Sequence, residues 1–498
     1  MTTLQDLTDY ATPLSDNQMD IRTEYLEPIS QTTHKFTFRL DQAGYLDENS
    51  MLVFKLKSTG GHVSRVNAFN GALGAINRVI FQVGDNIMND VQEVYKYATL
   101  KNMNAPPDQR NKYFGHYLGN QLYTKAVESA TDAPTNGAQA GPQAYATEDD
   151  KAHIGTILVD ERRSGIGLGK HDDGTGAFVA SHQLSDNAAL NPQYGIPLGM
   201  LIPALKGQKI PLFLFQQQRI LLTFEFNTAD KYINQLSGNV GYAGGESGTA
   251  AAGDVTPADV RMVVDYIIMP ADAQAEIMEQ TNKEGGYRLE FYDVVNVQKN
   301  ISAPPNGNFE VEHRIGQNGR EVHNIIMWKE AAKVGYGLGG NHRGYGLIGA
   351  QGCLGFDQEE YNCNIDGRDE FPDYKYNPVS QYNEVSEVLN TDLKVDRPMY
   401  CNDPNTESTL LATANSGLLG TMKPLCLSLR NGSPGLVGGG RVIGNYPIIW
   451  KYKRKVNGTE AQNSRANNVE TKVNYFIEVS RVANIRNTAK GMNVIVSY

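Results

Sequence analysis

Gly335, Gly337 and Gly340 stand at the spacing Gly-x-Gly-x-x-Gly, which in a dinucleotide-binding turn lets backbone approach a pyrophosphate. That chemistry needs a strand before the glycines and a helix after them. Asn341-His-Arg-Gly-Tyr-Gly follows instead, so the stretch reads as a glycine-rich surface loop. Gly165-Ile-Gly-Leu-Gly-Lys170-His171 echoes a phosphate loop, but Ser164 occupies the place of the first glycine and no Ser or Thr follows Lys170. Asn362, Asn364, Asp366, Gly367 and Asp373 alternate oxygen ligands around a glycine, as a calcium loop does. Asn replaces the first carboxylate, Asp replaces the closing Glu, and no helical pattern flanks the run. An Asn/Asp turn and a calcium site both stay open at this point.

The nine histidines include no His-x-x-x-His pair, and His313 and His323 are expected on strand surfaces. No Gly-x-Ser-x-Gly elbow is present, although a Ser/His/Asp triad need not be local in sequence. Lys451-Tyr-Lys-Arg-Lys455 is the one basic run. It fits a strand edge blunted by lysines, or else a site for an anionic partner. Cys353, Cys363, Cys401 and Cys426 lack Cys-x-x-Cys spacing and are expected to be free thiols. We therefore assign no catalytic, cofactor-binding or metal-ligating residue, and expect no cofactor and no enzymatic activity.

The elements around these stretches are mostly strands. His34 to Leu40 alternates, with Phe36, Phe38 and Leu40 on one face and Lys35, Thr37 and Arg39 on the other. Met51 to Lys57 repeats the pattern with Leu52, Phe54 and Leu56. Further strands are expected at Asp20–Leu26, Arg78–Val83, Ile154–Val159, Val260–Met269, Tyr287–Val297, Phe309–His313, His323–Trp328, Tyr446–Tyr452, Val473–Val482 and Met492–Tyr498. Asp90 with Glu93 matches a capping box, with Val91, Val94, Tyr95 and Ala98 at helical spacing behind it. A second short helix is expected from Pro270 to Gln280, ended by Gly285-Gly286.

The chain has 498 residues, 50 of them Gly and 26 Tyr, with Lys+Arg 45 against Asp+Glu 55. Such a length supports two or three domains, and the acidic balance argues against a surface built to grip nucleic acid. Met1 to Tyr10 has neither a basic region nor an apolar core, so no signal peptide is expected, and no apolar run reaches membrane-spanning length.

Residues 195–232 carry the most identity. Ile220, Leu222, Phe224 and Phe226 share one strand face, opposite Thr223, Glu225 and Asn227. Ile210 to Phe215 is expected as a strand opened through Pro211, and Met200 to Lys206 as a helical turn stopped by Gly207. The run Ile196-Pro-Leu-Gly-Met-Leu-Ile, then Leu205-Lys206, then Lys209-Ile-Pro-Leu-Phe-Leu resembles the end of the first jelly roll in double jelly-roll major capsid proteins. It is most similar to those of Polinton-like viruses, with virophages and nucleocytoplasmic large DNA viruses further off. Arg78–Leu100 and Tyr475–Tyr498 sit where such proteins have corresponding strands.

The resemblance implies an all-β protein with two eight-stranded antiparallel sandwiches side by side, short helical inserts and long loops. The expected division is an N-terminal arm 1–18, a first jelly roll 19–235, a linking loop, strand and bridging helix 236–286, and a second jelly roll 287–498. The implied function is a major capsid protein of a double-stranded DNA virus, whose pseudo-hexagonal homotrimers tile an icosahedral shell. Implied partners are neighbouring capsomers, penton and minor capsid proteins, and an internal membrane reached by the arm, without sequence-specific nucleic acid. The protein would be made in a host cytoplasm and reside in the virion. Loop sequences at 126–192 and 335–420 depart from the family pattern. The rival reading is a secreted or surface glycan-binding β-sandwich protein or a hydrolase of that kind, which would call for a secretion signal, paired cysteines and aromatic platforms. Small polar residues in Ala126–Asp150 and Gly238–Gly253 cannot form a core, so limited proteolysis is expected to nick these segments first. Earlier cleavage within Phe36–Leu56 would overturn the division.

Overall fold

The computed structural model describes residues 19–58, 63–66, 71–103, 118, 124–126, 157–159, 193–216, 218–229, 232–236, 246–249, 255–283, 286–301, 309–331, 359–374, 384, 387–388, 425–430, 439–454, 471–488 and 491–497. The arm 1–18, both glycine-rich motifs, Cys353, Cys401 and nearly all of Ala126–Asp150 lie outside these residues.

The first half is a sandwich of two antiparallel sheets built from β1 (Asp20–Leu26), β2 (Lys35–Leu40), β3 (Met51–Ser58), β4 (Ile76–Val83), β5 (Asn86–Gln92), β6 (Gln193–Pro197), β7 (Ile220–Phe226) and β8 (Val255–Ile268). One sheet sets β6 beside β3 and β3 beside β8. The far side of β8 carries β1, and Tyr45–Leu46 extends the sheet to Ile210–Pro211. The other sheet runs Ser30–Gln31, β2, β7, β4, β5. Alternation in β2 and β7 drives the pairing, because Phe36, Phe38, Leu40, Ile220, Leu222, Phe224 and Phe226 are all buried on one face. Phe38 meets Phe224 edge to face at 5.9 Å, and Phe36 meets Phe226 at 5.2 Å.

Three local expectations change. Asp90 and Val91 belong to strand β5, so the Asp90–Glu93 capping box does not form, and helix α1 (Val94–Met103) starts after Glu93. Asp90 instead pairs with Arg78 of β4 at 2.6 Å. Only Ile210–Pro211 of the apolar run is strand; Leu212–Phe215 turns into a 3-10 helix with all four side chains buried. Gly44 permits this, since its φ is +61° and its carbonyl accepts the Leu212 and Phe213 N–H groups. Within the expected 238–253 loop, Glu246–Thr249 forms a short strand on Ile233–Leu236. Strand β8, which the sequence reading set in the link, pairs along its length with β1 and β3. The helix expected at Pro270 is α2 (Ala271–Lys283), which leads into the second half.

That half is a second sandwich of β9 (Tyr287–Ile301), β10 (Phe309–Gly316), β11 (Glu321–Ala331), β12 (Glu359–Ile365), β13 (Leu425–Ser428), β14 (Ile448–Arg454), β15 (Thr471–Thr488) and β16 (Gly491–Ser497). One sheet runs β9, β15, β11, β13, with β16 on β15 and Arg441–Val442 on β11. The other runs β10, β14, β12 and Arg368–Asp369. Val473, Tyr475, Ile477 and Val479 of β15 line a core with Tyr361, Trp450 and Tyr452, where Tyr361 and Trp450 stack at 5.2 Å. The opposite face of the same sheet is also covered. Phe476, Ile326 and Trp328 on that face join one continuous apolar cluster with the first sandwich.

Each sandwich has a turn end and an excursion end. In the second, Gly319 N–H donates to Ile443 at 2.8 Å and Gly444 N–H to Asp366 at 3.2 Å, so three tight turns meet. At the other end Ile301 and Ala331 both pair with Thr471, and Phe309 and Glu359 both pair with Arg454. Segments 302–308, 332–358 and 455–470 therefore all attach there. In the first sandwich Ser58 pairs with Val255 and Lys55 with Gln193, while Gly84 N–H donates to Arg219 at the opposite end. Asn86, at that turn end, donates to Val494 beside Ile485 and Tyr287, so the two sandwiches point the same way. No helix among the described residues is long and apolar enough to cross a membrane.

Candidate functional site

The densest gathering of buried polar groups lies where the sandwiches meet. Strand β5, Glu93 and α1 come from the first; β9, β11 and β15 come from the second. Three carboxylates occupy this seam, and each takes partners from both sides.

Glu478 of β15 is cross-strand from Asn324 of β11 and accepts from its amide. From the first sandwich, the Tyr97 hydroxyl donates to it at 2.5 Å and the Lys101 ammonium lies at 2.9 Å. Arg430 stands 3.7 Å away. Burial pushes this carboxyl up, but Lys101 and Lys206 and the hydrogen bonds from Tyr97 and Asn324 outweigh it. They hold Glu478 well below the usual carboxylate range. Burial, with the neighbouring Glu478 charge, keeps the Tyr97 hydroxyl protonated by raising it well above its ordinary value.

Asp293 of β9 accepts from Asn89 at 2.8 Å and from Arg481 at 3.0 Å, and Arg481 also donates to the Met88 carbonyl at 2.7 Å. Burial dominates here and raises the Asp293 carboxyl despite those donors. Glu93 takes Lys96 from its own side at 2.8 Å and Lys472 from β15 at 2.7 Å. Burial opposes its charge, yet the two ammonium groups lower its carboxyl overall.

This is clamp chemistry. Each carboxylate is committed to cations and amides, and among the described residues no group of three or more His, Cys, Asp or Glu could hold a metal ion. A seam of this kind fixes how two bodies sit, because a slip would strand a buried charge. Sequence reasoning missed the seam. Asn474, Glu478 and Ser480 alternate with apolar residues and so read as a solvent face, yet all three are buried.

The motifs considered from sequence fall elsewhere. Asn362 and Asn364 lie on β12, and Asp366-Gly367, with φ of 52° and 81°, make the hairpin turn to Arg368–Asp369. The Asn362 amide is spent on the hairpin, donating to Phe371 and accepting from Cys363 and Phe371 N–H groups. His313 and His323 are buried, which corrects their expected surface position. Lys451 and Lys453 lie on β14, between β10 and β12, so the basic run is no sheet edge. Lys451 pairs with Asp369 at 2.8 Å and Lys453 with Glu310 at 3.2 Å. Cys363 and Cys426 are free and buried, and burial raises both thiols far above their ordinary value.

Two antiparallel sandwiches locked side by side along one chain define a double jelly roll, and solved structures share it over nearly the whole length. A chain of the PBCV-1 virus capsid matches with a TM-score of 0.52 at 11% identity, covering 99% of this chain and 100% of that one. The Faustovirus major capsid protein matches with a TM-score of 0.52 at 9% identity, covering 95% and 91%. A chain of the Sputnik virophage matches with a TM-score of 0.50 at 10% identity, covering 96% and 88%. No family model and no curated protein matches the sequence.

Proposed function

We propose that this chain is a major capsid protein whose homotrimers tile the icosahedral shell of a double-stranded DNA virus. The observation that carries this is coverage: the chain matches the PBCV-1 capsid and Faustovirus chains almost end to end. Two similar sandwiches per chain give three chains six similar lobes, the condition for pseudo-hexagonal packing. Common polarity supports the same reading, since 302–308, 332–358 and 455–470 attach at one end of the second sandwich and the described tight turns, with Gly84 of the first, lie at the other. A clamped seam suits a building block that must keep one shape through assembly. The role is structural, and we assign it no catalysis.

The finer points are proposals of the same kind. Kinship with Polinton-like viruses rests on residues 195–232. We divide the chain into a first jelly roll from residue 19, extended through β8, and a second from 287 to 498, with α2 as the bridge. Neighbouring capsomers and penton and minor capsid proteins are its partners, and the virion is its place.

Negative-stain images of the purified protein should show pseudo-hexagonal trimers, and light scattering should give a trimer mass. Subunits that tile a shell bury large apolar interfaces, so a stable, monodisperse monomer would sink the proposal.

A further inference from the structure

His313 and His323 are the buried histidines among the described residues, and both are anchored to β15. The His313 Nδ1 lies 2.6 Å from the Tyr475 hydroxyl, with the two rings edge to face at 5.7 Å. This contact ties β10 in one sheet to β15 in the other, beside Trp450 across the strand pair. The His323 Nε2 lies 2.5 Å from Ser480 Oγ, and its ring stands edge-on to Tyr292 at 4.9 Å. Its Nδ1 is buried without a hydrogen-bond partner among the described residues. Tyr475 and Ser480 have opposite parity along β15, so the histidines act on opposite faces of the central strand.

We propose that these two imidazoles make the second sandwich an acid-sensitive element, closed while they are neutral and loosened when protons are driven onto them. Among the described residues neither site offers a dedicated counter-ion. His313 faces Lys299 of β9 and the neutral Tyr475 hydroxyl. Around His323, Glu321 on its own strand and Glu478 of β15 attract a proton, and Arg430 beyond β13 repels it. Glu478 is already held by Lys101, Tyr97 and Asn324. Burial is the largest influence on both rings and lowers both, His313 from 6.5 to about 4 with help from Lys299.

The sign follows. A depressed folded value means a contribution that is fully present above pH 6.5 and is lost as pH falls toward about 4. Glu478 and Glu93 are depressed from 4.5, so their contributions stay intact until pH falls below that value. Asp293 is raised and acts in the opposite sense in its own range. Between about pH 7 and pH 5 the two histidines pull stability down as pH falls, and replacing them isolates their share. For His313 the loss over that interval is about 20-fold in the folding equilibrium constant.

Denaturant unfolding of the full chain at about pH 7, 6 and 5 tests this. Wild type should lose stability steadily. His313→Gln should remove about 20-fold of that dependence, and the double variant with His323→Gln should remove more. A wild type equally stable at both ends, or a double variant with the full wild-type slope, overturns the proposal. Should the variants fold poorly, hydrogen exchange on wild type decides. Peptides from 309–331 and 471–488 should lose protection at about pH 5 while 35–40 and 220–226 keep theirs; equal behaviour in the two sandwiches overturns it. The proposal stands on these side chains, so it can fail with the capsid reading intact.

Discussion

Replacing Phe224 by Ala should cost about 3–5 kcal/mol, whereas replacing the adjacent Glu225 should cost about 1 kcal/mol or less. Phe224 is fully buried, sits opposite Phe36 and Val79 on the flanking strands and meets Phe38 edge to face. Truncation removes that burial and leaves a cavity among rings that cannot all shift inward. Glu225 points the other way, with its side chain 28% exposed and Lys35 and Arg78 at 3.4 and 3.8 Å. Such pairs are screened and contribute little. Denaturant unfolding of both variants beside wild type is the check. A near-neutral Phe224→Ala with a damaging Glu225→Ala would mean that the register of β7 is wrong.

Glu478→Ala should be equally severe, about 3–5 kcal/mol, for a different reason. Its removal leaves the Lys101 ammonium in the seam with the Val388 carbonyl at 2.6 Å and the Tyr97 ring at 5.7 Å but, among the described residues, no paired carboxylate, and leaves Arg430 without Glu478. The loss is the cost of an orphaned buried charge, so taking away the charge should restore part of it. Adding Lys101→Met to Glu478→Ala should therefore recover stability, giving a coupling well above 1 kcal/mol in a double-mutant cycle. Lys451→Ala, on the exposed pair with Asp369, should change stability by no more than about 1 kcal/mol. Additive losses at Glu478 and Lys101 would show that the seam is not a coupled unit.

Strands were legible wherever one face meets water. The period-two pattern in β2, β3 and β7 located the core residues because Lys, Arg, Thr and Glu mark the other face. In β15 the same rule read one face correctly and the other wrongly. Val473 to Val479 do line a core, but the polar residues between them face a second protein surface. Tyr97 and Glu478 are 381 positions apart, and nothing local records that they will meet. The histidines failed for the same reason, since Tyr475 and Ser480 are far from them in the chain. Asp90 and Leu212–Phe215 failed on local ambiguity: a short apolar or acidic run fits strand and helix alike until its partners are known. The double jelly roll itself was legible through the resemblance at 195–232 and the layout of strands. No clamp, and so no site, could be read that way.

The position of β15 has a consequence for how the protein is made. It is the strand that β9, β11 and β16 all share, yet the ribosome delivers it only after residues 332–470. Strands β9 and β11 must wait through that interval without their common neighbour, offering open edges and apolar faces. The first sandwich has its strands by Ile268 and can close early. Nascent chains stalled before Thr471 should consequently hold a finished first half and an unfinished second one, the species on which a chaperone would act.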